Sequence, residues 1–339
     1  CLNTQLTIHK TVATHLKIRT LRKIYLLTLM SIILFNCQNK TELRTDLQLT
    51  YSDSKNALQG NNLYGKVKKI EYYKTTFQNT EKLDKPILNK IEQYTDFGEL
   101  KKVEYFDNYG ELLQTNVIDY NKNQKFIKSV SISKANKSKI IQTSEYDSIK
   151  NTSELTVFVN DTIDHKTTFY YGKNDYQIKR ISVKGNDTTE TNSEQTFNDN
   201  NKLILATQKE KGNDKSTIII RNKYDKNNNL IESSHKTEWI EMLSLTEWKD
   251  GRIFKQTSYT ISADLKKHTD NITEFDILYN PINSKEFEDS KLNRELKFDY
   301  EFDENGNWIK KNVSMKEHFN NSKEFVPIYV DTRKISYWK

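Results

Sequence analysis

The feature that most constrains the fold of this chain is a short motif that recurs about every 26 residues. A good copy has an aromatic residue, then Asp or Asn, and then Gly or Asn four positions after the aromatic. In the copy at Phe302, the residues Leu296, Phe298, Tyr300 and Phe302 alternate with charged residues, which is the period of a half-buried strand. We therefore expect these four side chains, Phe302 included, to be buried on one face of the sheet. The copies begin at Tyr94, Phe106, Tyr120, Tyr146, Tyr171, Phe197, Tyr224, Trp248, Phe275 and Phe302.

The spacing of the copies indicates what one repeat contains. Two strands of about eight to ten residues and two turns fill about 26 residues, so one period corresponds to one hairpin and its link to the next. The shorter steps from Tyr94 to Phe106 and Tyr120 predict that the motif stands at both ends of these strands. Trp248-Lys249-Asp250-Gly251 is one residue shorter and favours a tight type I′ turn. Tyr146 and Phe275 begin poor copies of the motif, and we include them mainly because the repeat spacing predicts a copy at these positions.

Composition and pattern together predict an all-β fold. The chain has 19 Tyr and 15 Phe, which favour strands, and the part after residue 62 shows no strong helical period. We therefore predict one domain over residues 63–339, built of antiparallel β-hairpin repeats that form a curved, twisted sheet or a partly closed barrel or shell. The turn residues that define the motif best are Phe106, Asp107, Gly110, Tyr224, Asp225, Asn228, Phe302, Asp303, Gly306 and Trp308.

The first 36 residues have the features of an export signal. A basic region precedes an apolar run over residues 24–35, which is too short to span a bilayer comfortably. Leu34-Phe35-Asn36-Cys37 resembles a bacterial lipoprotein signal, in which Cys37 is lipidated and becomes the first mature residue. The alternative is an ordinary signal peptide or membrane anchor with an incidental cysteine. Residues 37–62 are polar and predict a tether between the lipid and the folded domain. We therefore expect an exported outer-membrane lipoprotein that is attached to the membrane by its lipid anchor.

The net charge of +7 does not indicate a nucleic-acid partner. Five of the basic residues lie in residues 1–36, which contain no acid, so the remainder of the chain carries only +2. A charge this small removes the global electrostatic argument for binding nucleic acid. The two cysteines, Cys1 and Cys37, cannot form a disulfide framework.

The copies Tyr224-Asp225-Lys226-Asn227-Asn228 and Phe302-Asp303-Glu304-Asn305-Gly306 resemble the YD repeat of RHS-type proteins. The whole layout, from the lipoprotein signal to the closing Arg333-Lys334-Ile335-Ser336-Tyr337-Trp338, resembles the small hairpin-repeat lipoproteins of Bacteroidota. The resemblance covers nearly all of residues 63–339 and rests mostly on turn residues. It implies a β-shell architecture, because RHS repeats build a spiralling shell.

No catalytic, metal-binding or cofactor-binding motif emerges from the sequence. The four histidines after residue 62 are widely separated and lack the spacing of a metal site. Asp225-x-Asn227-x-Asn229 and Asp303-x-Asn305-x-Asn307 mimic the opening of a calcium loop, but residues Lys236 and Ser314 stand where the closing acid would be. We therefore predict no catalytic residues, no metal and no cofactor, and interpret these segments as turns.

The aromatic residues leave two interpretations open. They form the core of the sheet, or some of them stack on a sugar or a peptide. The candidates for ligand stacking are Trp239, Trp248 and Trp338, and a site is expected where copies deviate, at the Tyr146 and Phe275 units.

The leading hypothesis is a non-enzymatic, lipid-anchored envelope protein with a binding or scaffolding surface for an envelope protein or a glycan. A hydrolase of envelope polymers using Asp299, Glu301 or Asp303, and a toxin-immunity or inhibitor protein, are the alternatives. The oligomeric state stays open.

Overall fold

A computed structural model describes residues 63–78, 81–82, 85–172, 176–319 and 324–339. The predicted signal region, the lipidated Cys37 and the tether lie outside the described residues. The described chain is made of strands and turns, with no helix in these ranges. The strands are β1 (Val67–Gln78), β2 (Glu81–Lys82), β3 (Ile87–Tyr94), β4 (Leu100–Phe106), β5 (Leu112–Tyr120), β6 (Phe126–Ser133), β7 (Lys139–Asp147), β8 (Thr152–Val159), β9 (Thr162–Tyr171), β10 (Gln177–Lys184), β11 (Asp187–Phe197), β12 (Leu203–Glu210), β13 (Asn213–Tyr224), β14 (Leu230–Lys236), β15 (Ile240–Lys249), β16 (Arg252–Ser262), β17 (Lys267–Phe275), β18 (Pro281–Glu288), β19 (Lys291–Phe302), β20 (Trp308–Glu317) and β21 (Val326–Tyr337).

The strands form a closed antiparallel barrel. From β3 to β21 each strand pairs with the next along the chain, and β1 pairs with β3 on one side and with β21 on the other. β2 is a two-residue extension that pairs only with the end of β1, so the barrel has twenty long strands. The predicted all-β antiparallel fold is confirmed. The barrel is fully closed, whereas the sequence predicted a curved sheet or a partly closed barrel or shell. Because β1 pairs with both β3 and β21, neither of these strands has a free edge.

The hairpin turns alternate between the two ends of the barrel because consecutive strands are antiparallel. We call the end that carries the turns 95–99, 121–125, 148–151, 198–202, 225–229, 250–251, 276–280 and 303–307 the YD rim, and the other end the opposite rim. The anchor Phe106 precedes a turn on the opposite rim, whereas Tyr94 and Tyr120 stand at the YD rim. The half-period spacing of these three residues therefore reflects a motif at both ends, as predicted.

One turn geometry recurs through the chain, and the turn at residues 303–307 shows it clearly. The Asp303 backbone N–H donates to Asn307 O (2.9 Å), and its carboxylate Oδ1 accepts from the N–H groups of Asn305 (3.0 Å) and Asn307 (2.9 Å). The fourth residue, Gly306, has a φ of +82°, which favours glycine. The same bonds occur in the turns that begin at Asp107, Asn121, Asn198, Asp225 and Asp276.

A β-bulge accompanies most of these turns at the aromatic anchor. In the last copy the register shifts between Glu301 and Phe302, and Phe302 then pairs with Trp308. The copy at Phe275 has the same shift and a regular turn, although its sequence is poor. The Tyr146 copy has no shift and a shorter turn, so it is the irregular one. Trp248 precedes a turn in which Asp250 and Gly251 both have positive φ, as a type I′ turn requires.

Aromatic side chains at the YD rim connect successive hairpins. Tyr120 Oη donates to Leu100 O (2.9 Å), Tyr224 Oη to Leu203 O (3.1 Å), Trp248 Nε1 to Leu230 O (2.9 Å) and Tyr300 Oη to Pro281 O (2.9 Å). Each acceptor carbonyl belongs to the first residue of the strand that precedes the donor's strand along the chain, and that residue directly follows a turn of the YD rim. The aromatic residues of the repeat therefore bury apolar area and also hold the rim together.

The alternation of β19 has the expected consequence for its two faces. Glu301 is exposed and pairs with Lys310 across the strands (2.6 Å), whereas its neighbour Tyr300 is partly buried. Lys223–Glu232 and Lys255–Glu247 make similar cross-strand pairs, each at 2.8 Å. One face of these strands is therefore polar and wet. No helix in the described ranges is long and apolar enough to cross a membrane.

Candidate functional site at the closing seam

The barrel closes at a seam formed by β21, β1 and β3, and the main hydrophobic cluster lies there. Its buried members are Leu63, Val67, Ile70, Tyr72 and Tyr94, against which Leu100, Ile335 and Tyr337 pack. The seam therefore brings together side chains from the first and last strands of the described chain. Bringing the first and last strands together costs chain entropy, so the interactions at the seam must offset that cost.

A latch of four residues fastens the start of the barrel to its last repeat turn. Asn307 is fully buried, accepts from Tyr64 N–H (2.7 Å) and donates from Nδ2 to Tyr64 O (2.8 Å). The same Nδ2 donates to Tyr337 Oη (2.8 Å), and Tyr337 Oη donates to Asp303 Oδ2. We call Tyr64, Asp303, Asn307 and Tyr337 the latch. Burial raises the pKa of the Tyr337 hydroxyl to about 12, and its bond to Asp303 acts in the same direction.

A buried carboxylate, Glu92 on β3, also lies in the seam. Glu92 is 6% exposed, and its Oε2 accepts from Tyr72 Oη and from Tyr94 Oη (2.6 Å), while Oε1 lies 2.8 Å from Lys90 Nζ. Burial alone would raise the pKa of Glu92, but the Lys90 ammonium and the hydroxyl donors lower it on balance. Burial raises the pKa of both tyrosines far above the ordinary range. Glu92 is thus an ionised, saturated acceptor.

Arg333 completes this cluster from β21. Its guanidinium carbon lies 3.4 Å from the centroid of the Trp308 ring and 4.9 Å from that of Tyr72. Burial lowers the pKa of Arg333, and the nearby tyrosines and Glu92 oppose that shift. Its Nε and Nη1 are buried and have no hydrogen-bond partner within the described part of the chain. Cation–π contact with two rings is therefore the main compensation that this charge receives.

An open cleft of about 930 Å³ lies at the YD rim of the seam, where the ends of β1, β3, β4, β5 and β21 meet. Its lining contains five lysines and two aspartates. The lysines are Lys66, Lys68, Lys69, Lys101 and Lys339, and the aspartates are Asp96 and Asp119. Lys69 is paired with Glu71 (2.6 Å), whereas Lys66, Lys68 and Lys101 are exposed and have no carboxylate partner among the described residues. We call this the seam cleft.

Aromatic side chains form the apolar part of the seam cleft. Phe97 and Tyr120 meet edge to face with their centroids 5.9 Å apart. Trp338 is partly buried, its backbone N–H donates to Lys66 O (2.8 Å), and Lys68 Nζ lies 4.8 Å from its ring centroid. Cations beside flat rings can hold a ligand that has both a negative charge and an apolar face.

The three tryptophans proposed for stacking lie in different environments. Trp338 lines the seam cleft. Trp239 is 64% exposed in a turn of the opposite rim, and Trp248 is bonded to Leu230 within the rim. The structure does not bring the three together. A site was also expected at the Tyr146 and Phe275 units, of which only the Tyr146 unit is irregular, but neither unit lines the seam cleft, because that cleft arises from closure.

The motif residues predicted from the sequence form the turns and bulges of the barrel. Asp107, Asp225 and Asp303 cap their own turns, and Gly110, Asn228 and Gly306 have the positive φ that the fourth turn position needs. Phe106, Tyr224 and Phe302 lie at the bulges, and Trp308 is 9% exposed.

One expectation about the last copy is wrong. Phe302 was expected to be buried on the sheet face, but it is 38% exposed. The buried position belongs to its register partner Trp308, on which Arg333 stacks.

The acids considered for catalysis or metal binding cap turns, pair across strands or are exposed. Asp225 Oδ1 accepts from two backbone N–H groups of its own turn, as Asp303 does, so turn capping accounts for both calcium-like segments. Glu301 pairs with Lys310, and Asp299 is exposed. The described part of the chain contains no cluster of three or more His, Cys, Asp or Glu side chains with metal-site geometry.

Sequence reasoning did not single out Glu92 or the lysines of the seam cleft. A clue to Glu92 was present, because an acid two positions before the anchor Tyr94 shares a strand face with that aromatic ring. Lys66, Lys68 and Lys101 carry no comparable clue, since exposed strand ends are commonly rich in lysine.

No family model and no curated protein matches this chain. A porin-like protein from Bacteroides uniformis aligns over 80% of this chain and 96% of its own, with a TM-score of 0.35 and 9% identity. A porin-like protein from Bacteroides vulgatus aligns over 80% and 98%, with a TM-score of 0.28 and 10% identity. A TcdB2-TccC3 structure aligns over 79% of this chain and 19% of its own, with a TM-score of 0.30 and 10% identity.

Proposed function

We propose that this chain is a non-enzymatic, lipid-anchored outer-membrane protein whose YD-like barrel presents the seam cleft as a binding surface. The observation that carries this proposal is the cleft itself, which is open, lined by aromatic rings and rich in lysines without carboxylate partners among the described residues. Two acids near the seam, Glu92 and Asp303, accept hydrogen bonds or ion pairs from tyrosine hydroxyls, a lysine and turn N–H groups. Their geometry supports structural roles.

The described chain enters the barrel at the YD rim, which is also the rim that carries the seam cleft. The described chain begins at Leu63, which belongs to the hydrophobic cluster of the seam, and Tyr64 is held in the latch at the YD rim. A flexible tether over residues 37–62 would span roughly 25–30 Å on average. A lipid on Cys37 would therefore hold the cleft within a few tens of ångströms of the membrane surface, so we propose a membrane-associated ligand.

The anchoring part of the proposal predicts a loss of lipid labelling when Cys37 is replaced. Cys37→Ser is expected to abolish incorporation of a clickable fatty acid and to move most of the protein out of the membrane fraction, because a serine cannot form the thioether. The measurement is in-gel fluorescence after labelling, together with membrane fractionation. Cys1→Ser is the matched control and should keep both. Labelling that persists in Cys37→Ser would refute lipid anchoring at this residue.

A further inference from the structure

We infer that the seam cleft binds a sugar ring that carries an anionic group, either a carboxylate or a phosphate. This inference rests on the proposed function, because it names the ligand of the same cleft. Its first support is charge. Lys66 directly precedes β1, Lys68 lies on β1 and Lys101 lies on β4. The three share one cleft, and none of them has a carboxylate partner among the described residues. Like charges gathered in a concave surface focus the field and favour a negative ligand.

The second support is the flat apolar surface beside these charges. Trp338 stands on the β21 side of the cleft and the Phe97–Tyr120 pair on the side of β3 to β5. An aromatic ring can cover the apolar face of a pyranose, while the edge of the sugar keeps its polar contacts. A free inorganic anion would use the lysines but leave these rings without a role.

The third support is the pair of aspartates in the same cleft. Asp96 and Asp119 are exposed and acceptor-only when ionised, so they can receive hydrogen bonds from sugar hydroxyls. A nucleic-acid strand also combines negative charge with flat rings. Two carboxylates would repel its continuous phosphate backbone, whereas a sugar with a single acidic group can direct hydroxyls towards them. The chemistry therefore favours an acidic glycan.

Two sources could supply this chemistry near a membrane, and the experiment separates them. The full lipidated chain in detergent is titrated with a galacturonate hexamer, maltohexaose and a twelve-residue oligodeoxythymidylate. The full chain carrying Cys37→Ser, which cannot float through a lipid anchor, is tested for flotation with vesicles that contain a phosphorylated lipid A and with vesicles that lack it. We expect the galacturonate hexamer, the lipid A vesicles or both to bind at least about tenfold more tightly than maltohexaose and the oligonucleotide. Which of the two binds identifies the source as a uronate polysaccharide or a phosphoglycolipid.

Matched variants test whether binding occurs in the seam cleft. The double variant Lys66→Gln with Lys101→Gln, and separately Trp338→Ala, are expected to weaken binding of the acidic probe by about tenfold or more. Lys137→Gln with Lys226→Gln removes the same charge from exposed turns outside the cleft, and Trp239→Ala removes an exposed ring at the opposite rim. These controls should bind as the wild type does. Thermal unfolding of every variant checks that the fold is retained.

The remaining outcomes overturn the inference in distinguishable ways. Binding of maltohexaose that depends on Trp338 but not on the lysines would contradict an acidic ligand and leave a binding cleft in place. Tighter binding of the oligonucleotide would replace the glycan by a nucleic acid. Affinities unchanged in all cleft variants, or no binding of any probe, would remove both this inference and the cleft as the proposed binding surface.

Discussion

Glu92→Ala is expected to lower the free energy of unfolding by about 3–5 kcal/mol, the range for breaking a buried ion pair from one side. The carboxylate is 6% exposed and receives two tyrosine hydroxyls and the Lys90 ammonium. Its removal takes away the negative partner of Lys90 and the shared acceptor of both tyrosine hydroxyls, all within a buried site. Urea-induced unfolding followed by tryptophan fluorescence measures the change.

The control for this prediction is an exposed pair with similar geometry. Glu301 lies 2.6 Å from Lys310, but its side chain is 56% exposed, so Glu301→Ala should cost about 1 kcal/mol or less. Because the pKa of Glu92 is lowered in the folded state, its contribution is present above the ordinary pKa of a glutamate. It disappears as the pH falls through the folded-state pKa, so wild type and Glu92→Ala should converge in acid. Equal losses for the two variants at neutral pH would show that Glu92 is not a buried anchor.

Asn307→Ala is expected to cost about 2–4 kcal/mol of stability and to release the start of the barrel. Its side chain accepts one hydrogen bond from Tyr64 and donates to Tyr64 O and Tyr337 Oη, all within a fully buried site. Unsatisfied buried groups cost about 1–3 kcal/mol each, and the cavity adds to that. Urea unfolding gives the energy, and hydrogen exchange should show faster exchange of the Tyr64 amide.

The chain offers a matched control in another copy of the same turn. Asn229 occupies the fifth turn position, as Asn307 does, but its side chain bonds only to Asp225 within its own turn (3.0 Å). Asn229→Ala should therefore cost about 1 kcal/mol or less and leave the exchange of the Tyr64 amide unchanged. If Asn307→Ala behaved like Asn229→Ala, the latch would not hold the seam.

The hairpins and their turns were predictable because their causes are local. An Asx side chain that caps the N–H groups two and four positions later, followed by a residue able to take positive φ, specifies the turn at 303–307 without help from the rest of the fold. Asp250-Gly251 specifies a type I′ turn in the same way. Tyr279 takes the positive φ in a copy whose sequence looks poor, which shows that register and strand pairing can impose the turn on an unfavourable residue.

Closure and the seam cleft were not predictable, because they depend on pairing between distant strands. Val67 on β1 pairs with Tyr337 on β21. Many other strands of this chain have the same alternation of apolar and polar residues, so the pattern alone does not identify β21 as the partner of β1. Asn307 looked like an ordinary turn residue, although it alone among the fifth-position asparagines of the described turns bonds to Tyr64. The lysines of the cleft come from strand ends that only closure brings together. A site made by topology leaves no spacing in the sequence.

The most direct test of this account is a disulfide across the closing seam. Thr75 on β1 pairs with Val330 on β21, so Thr75→Cys with Val330→Cys, in the full chain carrying Cys1→Ser and Cys37→Ser, should form a disulfide under mild oxidation. Asn312 pairs with Val330 on the next strand, about 10 Å from Thr75, so Thr75→Cys with Asn312→Cys should stay reduced. Peptide mass spectrometry identifies the bridge. Closure predicts a disulfide in Thr75→Cys with Val330→Cys and none in Thr75→Cys with Asn312→Cys. A reduced first variant, while Thr207→Cys with Ile219→Cys oxidises within an ordinary hairpin, would contradict closure and with it the seam cleft.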